Sequence, residues 1–366
     1  MAKLKVIISG GGTGGHIFPA IAIANAIKKI RPDTEFLFVG ALGRMEMTKV
    51  PEAGFKIVGL PIMGLQRKLT LKNLKFPFML LKSAAMAKKV IRDFQPDIAI
   101  GVGGYASGPL LRAANKAKVP TLLQEQNSYA GLTNKILGKD ANIICVAYDG
   151  MEAFFPKEKV ILTGNPVRSE VIKLEGKRER ALEFFELDSS KKTLLVVGGS
   201  LGAWSVNEAV ENSIDAWEKA GIQVVWQTGK LFYERAQKFA AGKESWLRVT
   251  AFIKRMDLGY AVADLVVSRA GALAVSELCL VKKPSIFVPL PSAAEDHQTK
   301  NARVLTTLNA ARIIDDAEVR NILEKTVLEL INNESELNNL SKNISPLGYH
   351  DAADIIANEV LKIVNS

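Results

Sequence analysis

The chain has 366 residues, a length typical of about two domains. Of these residues, 48% are hydrophobic and 23% are charged, a balance typical of a folded globular protein and not of a disordered chain. Lysine and arginine total 48 against 38 acidic residues, and the formal net charge of +10 favours polyanionic partners: nucleic acid, nucleotide-like substrates or an acidic membrane surface. Charged residues interrupt every long apolar run, which excludes a predicted membrane-spanning helix.

The apolar N-terminal residues run directly into a glycine-rich loop with no cleavage-like site, so they predict a first strand and not a signal peptide. Cys145 and Cys279 lie far apart in apolar segments, and we expect both to be buried, reduced thiols.

Short β-branched runs alternate with helical periods along the whole chain. The strands predicted in the first half are Val6–Ser9, Phe36–Val39, Lys56–Gly59, Ile98–Gly101, Thr121–Gln124 and Ile143–Val146. Those predicted in the second half are Val160–Thr163, Leu194–Val197, Gln223–Gln227, Arg248–Ala251, Leu265–Ser268 and Ser285–Val288. Helical patterns such as Ala20–Lys29 and Asn207–Lys219 separate them, and this alternation predicts parallel sheets covered on both faces.

Two glycine-rich loops follow strands in the first half. Gly10–His16 reads GGGTGGH, and Gly101–Pro109 contains three further glycines before its final proline. Glycines let the backbone approach a ligand closely, and the N–H groups of the following helix favour an anion. Together the loops predict an extended anionic ligand such as a diphosphate, with the titratable imidazole of His16 beside it.

The spacing of Gly10, Gly12 and Gly15 also matches the fingerprint of dinucleotide-binding proteins. That interpretation requires an acidic residue at the end of the second strand to hold the ribose hydroxyls, but Phe36–Val39 is followed by glycine and alanine. An NAD(P)-dependent oxidoreductase therefore remains the less favoured alternative. The Gly-Lys-Ser/Thr ending of a nucleotide-hydrolysing loop is also missing.

No acidic residue occurs between Ala53 and Arg92, where basic residues alternate with large apolar ones. This combination over Leu65–Lys89 predicts contact with an anionic membrane surface. An ordinary helix with an apolar core face and a basic solvent face is equally compatible. An RNA-binding surface is a third alternative, but it has only Phe76 and Phe78 for base stacking.

The second half repeats the opening pattern, since a strand enters the glycine-rich loop Gly198–Ala203 and then a helix. The loop matches the G-x-S-x-G nucleophile elbow of hydrolases, for which His297 or His350 is available, but it serves equally as a phosphate cradle. Turn-forming residues at Thr163–Pro166 predict the hinge between two domains, and a cleft between them is the expected ligand site.

Further polar or small-residue clusters follow predicted strands at Glu125–Asn127, Ser268–Glu277 and Asp296–Asn301. Loops at the carboxyl ends of parallel strands converge on one crevice. Glu277 falls one to two helical turns after its strand, where a carboxylate can accept hydrogen bonds from two ribose hydroxyls.

Taken together and in this order, these segments resemble the bacterial N-acetylglucosaminyltransferases that form the lipid-linked disaccharide of peptidoglycan. The segments that carry the resemblance are Gly10–Ala20, Gly101–Pro109, Glu125–Asn134, Gly164–Arg168, Gly198–Ala203, Ser268–Glu277 and Asp296–Ala302. In this family, N-acetylglucosamine passes from UDP-N-acetylglucosamine to undecaprenyl-diphospho-muramoyl-pentapeptide. Related lipid glycosyltransferases share much of the pattern, so a different lipid acceptor remains an alternative.

The resemblance implies an α/β protein with two doubly wound Rossmann-like domains facing a cleft, the glycosyltransferase-B fold. The acceptor- and membrane-binding domain would comprise residues 1–164 and the UDP-sugar domain residues 165–350. The last helix, about 351–366, would pack back on the first domain. The resemblance further implies a peripheral protein on the cytoplasmic face of the bacterial plasma membrane that binds no nucleic acid.

The family's site residues can be transferred to this chain by motif. Those implied to bind the sugar nucleotide are Thr13, Gly14, Gly15, Asn127, Arg168, Ser200, Phe252, Ile253, Ala272, Leu273, Ala274, Val275, Ser276, Glu277 and Gln298. Those implied to bind the acceptor are Gly12, Thr13, Gly14, Gly103, Gly104 and Tyr105. His16 is expected to remove or orient the proton of the attacking hydroxyl, in an inverting displacement that needs no metal or other cofactor. The chain departs from the family pattern at Leu201, where glutamine is usual, and at Ala270, where serine is frequent.

Overall fold

The computed structural model describes residues 3–63, 76–199 and 201–365. The chain divides into two compact units, Met1–Arg168 with His350–Ser366, and Ser169–Tyr349. The sequence placed the boundary after residue 164, whereas the first unit continues through Arg168, a predicted donor-binding residue.

The first unit contains a seven-stranded parallel sheet with the order β3-β2-β1-β4-β5-β6-β7. Its strands are β1 Lys5–Ser9, β2 Glu35–Ala41, β3 Lys56–Leu60, β4 Ile98–Gly101, β5 Thr121–Glu125, β6 Ile143–Val146 and β7 Val160–Leu162. Its first five helices are α1 Gly14–Ile30, α2 Glu46–Glu52, α3 Phe76–Phe94, α4 Ser107–Lys116 and α5 Leu132–Leu137.

Both faces of this sheet are covered because side chains alternate along each strand. Val6 and Ile8 on β1 pack with α1 in one buried cluster, while Ile7 between them packs with residues of α3 and α4 in another. The continuous apolar character of the strands therefore follows from burial on both sides.

The second unit contains a six-stranded parallel sheet with the order β10-β9-β8-β11-β12-β13. Its strands are β8 Thr193–Val197, β9 Gln223–Gln227, β10 Leu247–Thr250, β11 Leu265–Ser268, β12 Ser285–Phe287 and β13 Arg312–Ile313. Its helices are α6 Ser169–Ile172, α7 Arg178–Phe185, α8 Trp204–Lys219, α9 Tyr233–Ala240, α10 Met256–Val262, α11 Ala272–Leu280, α12 His297–Thr307, α13 Val319–Ile331 and α14 Glu334–Ile344. The sequence analysis did not predict β13, which has only two residues.

The last helix, α15 Ala352–Asn365, belongs to the first unit although it follows the second in the chain. Its residues Ile356, Ala357 and Val360 are buried in the same cluster as Ile23 and Ile27 of α1. The apolar spacing along α15 is that of a helix with one buried face.

The strand order reverses between β1 and β4 in the first sheet and between β8 and β11 in the second. At such a point the two flanking loops diverge to opposite faces of the sheet and leave a crevice beyond the carboxyl ends of the strands. The predicted fold class, two doubly wound parallel sheets, is confirmed, and the four loops at these reversal points are the glycine- or small-residue-rich segments that the sequence singled out.

Cys145 and Cys279 are buried and form no disulfide, as predicted. Burial raises the pKa of the Cys279 thiol to about 12 and raises that of Cys145 further still, which keeps both thiols protonated. Among the described residues, every helix is too short or too polar to cross a membrane.

Candidate active site

The two glycine loops of the first unit touch at the carboxyl ends of β1 and β4. A Cβ atom added to Gly104 would lie 2.4 Å from the carbonyl oxygen of Gly11. The Ser107 hydroxyl reinforces the contact, since it lies 3.0 Å from the carbonyl oxygen of Ser9 and 2.9 Å from that of Gly103. The loops thus form one surface, and glycine at position 104 permits their approach.

This close contact gives a testable prediction. We expect Gly104→Ala to lower the free energy of unfolding by about 2–5 kcal/mol, because a side chain at φ +89° is strained and its Cβ would collide with the Gly11 backbone. Gly150→Ala is the matched control, since Gly150 has φ +77° but no neighbour within 4 Å, and it should cost only about 1–2 kcal/mol. Urea unfolding of both variants measures the difference, and equal losses would contradict the close-contact explanation.

His16 lies in the first turn of α1, against the second glycine loop. A Cβ on Gly103 would lie 2.7 Å from Cδ2 and 2.9 Å from Nε2 of the imidazole ring. The ring's Nδ1 is 3.0 Å from the carbonyl oxygen of Gly11 and 3.4 Å from the Thr13 hydroxyl. A carbonyl oxygen only accepts hydrogen bonds, so this geometry assigns the proton of the neutral ring to Nδ1 and leaves Nε2 as its basic nitrogen.

The N-terminus of α1 provides backbone donors beside His16. Thr13 precedes the helix in an extended conformation and is exposed, and its carbonyl accepts the N–H groups of His16 and Ile17. The N–H groups of a helix's first turn have no partner within the helix and favour an anion. Gly14 and Gly15 occupy that turn. The N–H of Gly12, another predicted acceptor-binding residue, donates instead to a carboxylate oxygen of Glu46 at 2.9 Å.

Glu46 is a site residue that the sequence analysis missed. It is fully buried at the start of α2, and its second oxygen accepts the N–H of Ala41 at 2.9 Å. This acidic residue follows the second strand by a few residues, on α2. Because this carboxylate binds backbone N–H groups under the loop, it does not resemble one that holds a ribose. The sequence offered no signal for this role beyond the glycines at positions 11 and 40, which leave room for the Glu46 side chain: a Cβ on either would lie within 2.5 Å of it.

The loop after β5 is organised by Glu125, which is also buried. One carboxylate oxygen accepts the backbone and side-chain N–H groups of Asn127 at 3.1 and 3.2 Å, and the other accepts from Gly131 and Asn134 at 3.1 and 2.8 Å. Asn127 is thereby held in place at a strand end. Gln126 donates to the carbonyl oxygen of Val102 at 2.7 Å, which links this loop to the loop after β4.

Two more predicted residues of the first unit lie near α1 and the second loop. The guanidinium of Arg168 stacks on the ring of Phe18, which belongs to α1, with its carbon 4.7 Å from the ring centroid. Tyr105 is half exposed in the second loop. The structure thus brings His16 against Gly103 and Gly104 against Gly11, and it links the loop of Asn127 to the second glycine loop.

In the second unit, the loop after β8 packs against the loop after β9. Gly199 and Gly202 both have positive φ angles, and a Cβ on Gly202 would lie 2.3 Å from the carbonyl oxygen of Thr228. Leu201 is exposed. The predicted donor-binding residue Ser200 lies outside the described residues.

Helix α11 begins directly beyond β11 and contains six predicted donor-binding residues, Ala272 to Glu277. Val275 is fully buried in the core, so its side chain does not face a ligand. Glu277 is partly exposed, and one of its carboxylate oxygens accepts a hydrogen bond from the Tyr260 hydroxyl at 2.8 Å. The Tyr260 hydroxyl thus orients the Glu277 carboxylate. The N–H groups in the first turn of α11 have no acceptors within the helix and are available to a ligand.

The remaining predicted residues follow strands β10 and β12 in the chain. Phe252 exposes 53% of its surface, whereas Ile253 is buried and its N–H donates to the side chain of Gln227 at 2.8 Å. Gln298 is the second residue of α12, and its side-chain oxygen accepts the N–H of Leu290 at 3.0 Å. The exposed aromatic ring of Phe252 suits stacking on a planar base.

Two doubly wound parallel sheets with glycine- or small-residue-rich loops at their reversal points are the architecture of the glycosyltransferase-B fold. Comparison with known proteins identifies the family: residues 6–146 match the glycosyltransferase family 28 N-terminal domain and residues 193–357 match the glycosyltransferase family 28 C-terminal domain. The chain belongs to glycosyltransferase family 28.

Curated relatives match over the full chain. Proteins from Parabacteroides distasonis and Flavobacterium psychrophilum are 52% and 49% identical to it, and each alignment covers 100% of this chain and at least 99% of the relative. Both relatives are named UDP-N-acetylglucosamine–N-acetylmuramyl-(pentapeptide) pyrophosphoryl-undecaprenol N-acetylglucosamine transferase.

Solved structures share this architecture over 99% of the chain. The crystal structure of Acinetobacter baumannii MurG matches 99% of this chain and 100% of its own with a TM-score of 0.77 at 29% identity. UDP-N-acetylglucosamine 2-epimerase from Neisseria meningitidis, bound to UDP-N-acetylglucosamine, matches with a TM-score of 0.68 at 14% identity and shares the fold. The predicted family and enzyme class are confirmed: the protein is a glycosyltransferase.

Proposed function

We propose that this enzyme transfers N-acetylglucosamine from UDP-N-acetylglucosamine to the C4 hydroxyl of undecaprenyl-diphospho-N-acetylmuramoyl-pentapeptide, forming a β-1,4 linkage. The names of full-length relatives at 49–54% identity support both substrates. The observation within the structure that carries the proposal is the position of His16 at an anion-binding helix N-terminus, with its Nδ1 fixed by the Gly11 carbonyl. Peptidoglycan precursor synthesis is the corresponding cellular role.

The reaction is a direct displacement at the anomeric carbon of the donor sugar, which inverts the α linkage of the UDP-sugar. The acceptor hydroxyl loses its proton as it attacks, and Nε2 of His16 is the basic nitrogen that receives it. The acceptor diphosphate binds the first-turn N–H groups at Gly14 and Gly15 and the adjoining loop of Gly103, Gly104 and Tyr105. Proton removal and acceptor binding are thus assigned to the same surface.

The donor binds the second unit at the N-terminus of α11 and at the loop after β8. The N–H groups of α11 stabilise the negative charge that develops on the departing UDP. Arg168 is assigned to the same charge as a cation. Glu277 accepts hydrogen bonds from the ribose hydroxyls, Phe252 stacks on the uracil and Gln298 contacts the sugar. The proposal requires no metal ion or other cofactor.

Isothermal titration calorimetry tests the donor assignment directly. UDP-N-acetylglucosamine should bind with measurable heat, and NADH should not bind at the same concentrations. The opposite preference would support the dinucleotide fingerprint and an oxidoreductase, and it would overturn the proposal.

Turnover unchanged by a chelating agent is the expected result for a reaction without a metal.

We also propose that α3 contacts an anionic membrane surface. Residues Leu65 to Lys75 of the predicted patch lie outside the described residues, but α3 contains the rest. Phe78 and Leu81 are 77% and 70% exposed, whereas the buried side of this helix is formed by Ser83, Ala87 and Ile91. An ordinary core helix would bury its largest apolar side chains, so their exposure beside basic residues favours an interfacial role.

Replacing the exposed apolar side chains should weaken this contact. We expect Phe78→Ser with Leu81→Ser to reduce binding to vesicles containing anionic lipid by at least about tenfold, since each change removes apolar surface that enters the membrane. Flotation or sedimentation of vesicles measures the bound fraction. The control is Phe184→Ser with Leu308→Ser, which makes the same two changes at apolar residues of the second unit that are 56% and 50% exposed. Unchanged vesicle binding in the α3 variant would contradict the proposal.

A further inference from the structure

One peptide group of the first glycine loop connects Glu46 to His16. The carbonyl oxygen of Gly11 accepts from Nδ1 of His16 at 3.0 Å, and the N–H of Gly12 donates to Oε2 of Glu46 at 2.9 Å. These carbonyl and N–H groups belong to the same amide, so a fully buried carboxylate is joined to the predicted base through a single peptide plane.

The loop is shaped to permit this connection. Gly12 has φ +87°, a conformation that glycine adopts without strain. A Cβ on Gly11 would lie 2.2 Å from Oε1 of Glu46, and one on Gly40 would lie 2.4 Å from its Cγ. Side chains at either position would displace the carboxylate. Oε1 of Glu46 accepts the N–H of Ala41 at the end of β2, so backbone N–H groups hold both oxygens of the carboxylate.

We propose that Glu46 is a positioning residue for catalysis: through the Gly11–Gly12 peptide, it holds His16 with a proton on Nδ1 and the basic lone pair on Nε2. A carboxylate that accepts from a peptide N–H polarises the amide and makes its carbonyl a stronger acceptor. The stronger carbonyl favours the Nδ1–H form of the ring and fixes its plane. This inference rests on the proposed role of His16 as the base.

The arrangement also divides the backbone donors of the loop. The N–H of Gly12 is bonded to Glu46, so the acceptor diphosphate is left to the N–H groups at the start of α1 and to the second glycine loop. The first loop thus positions the base, and the helix N-terminus binds the anion.

Glu46→Gln is the informative substitution because it preserves size. A carboxylate accepts at both oxygens, but a carboxamide has one acceptor and one donor group, so it cannot serve the N–H groups of both Gly12 and Ala41. We expect turnover to fall about 10- to 100-fold, with the KM for UDP-N-acetylglucosamine unchanged. Glu46→Asp retains both acceptors on a shorter side chain and should recover part of the rate. Glu52→Gln changes an exposed residue of the same helix, paired only with Lys49 among the ion pairs described, and should behave as wild type.

The tautomer of His16 is directly measurable, since the chain contains only three histidines. Two-bond ¹H–¹⁵N spectra of the histidine-labelled full-length protein, at a pH where imidazole is neutral, should show His16 protonated at Nδ1 in the wild type and a mixture of tautomers in Glu46→Gln. The His16 signals are assigned by their loss in His16→Gln.

A wild-type His16 protonated at Nε2 would overturn the inference, and this result does not depend on whether any variant folds. A Glu46→Gln protein that keeps its proton on Nδ1, or that turns over at the wild-type rate, would overturn it as well. Failure of the proposed function would show differently: the wild-type enzyme would form no product from UDP-N-acetylglucosamine, whatever the tautomer of His16.

Discussion

Replacing His16 by glutamine should lower kcat by about 10²- to 10⁴-fold, the usual contribution of a general base. Glutamine retains polar contact with the Gly11 carbonyl but has no basic nitrogen to receive the proton of the attacking hydroxyl. The affinity for UDP-N-acetylglucosamine should change little, because the residues assigned to its ribose and uracil, Glu277 and Phe252, belong to the second unit. Steady-state kinetics at saturating donor, with calorimetry of donor binding, separates these two quantities.

His350→Gln is the matched control for this substitution. His350 is exposed and lies just before α15, away from the glycine loops in the chain, so its replacement should leave kcat within about twofold of wild type. A His16→Gln enzyme with kcat within a few-fold of wild type would show that another group accepts the proton.

Replacing Glu277 should have its effect on donor binding. We expect Glu277→Ala to raise the KM for UDP-N-acetylglucosamine and the Kd for UDP by about 10- to 100-fold, since charged hydrogen bonds to hydroxyl groups contribute about 1.5–3 kcal/mol. Tyr260→Phe should weaken binding by a smaller factor, because it removes only the hydroxyl that orients the carboxylate. Calorimetric titration with UDP measures both effects.

The control is Glu329→Gln, which changes an exposed carboxylate on α13 that pairs with Lys325. It should leave the Kd for UDP unchanged. An unchanged Kd for UDP in Glu277→Ala would contradict the assignment of this residue to the ribose.

The sheets were predictable because their signal is local. Strands buried on both faces are continuous apolar runs, and four of them, among them Ile98–Gly101 and Leu265–Ser268, have the predicted bounds in the structure. Their alternation with helices determines a parallel arrangement. The glycine loops are local signals as well, since a loop that lets the backbone approach a ligand requires glycine at fixed positions.

Features that depend on contacts distant in sequence were not predictable in the same way. The role of Glu46 depends on a carboxylate reaching back to Gly12, and no spacing rule links these positions. The Glu125 carboxylate was visible as part of a polar cluster, but its four hydrogen bonds were not. Strand β13 has two residues and one neighbouring strand, too short for a periodic pattern. Arg168 also belongs to the first unit, where its side chain stacks on Phe18, and the sequence does not show this contact.

The central claim is that this enzyme transfers N-acetylglucosamine with inversion to a lipid-linked muramoyl acceptor. The purified protein, incubated with UDP-N-acetylglucosamine and a muramoyl-pentapeptide diphospholipid, tests it by NMR of the product. The account predicts UDP release in equal amount to a new disaccharide with a β-configured anomeric proton and a bond to C4 of the muramoyl residue. An α-linked product, or no product with this acceptor under conditions where UDP-N-acetylglucosamine binds, would contradict it.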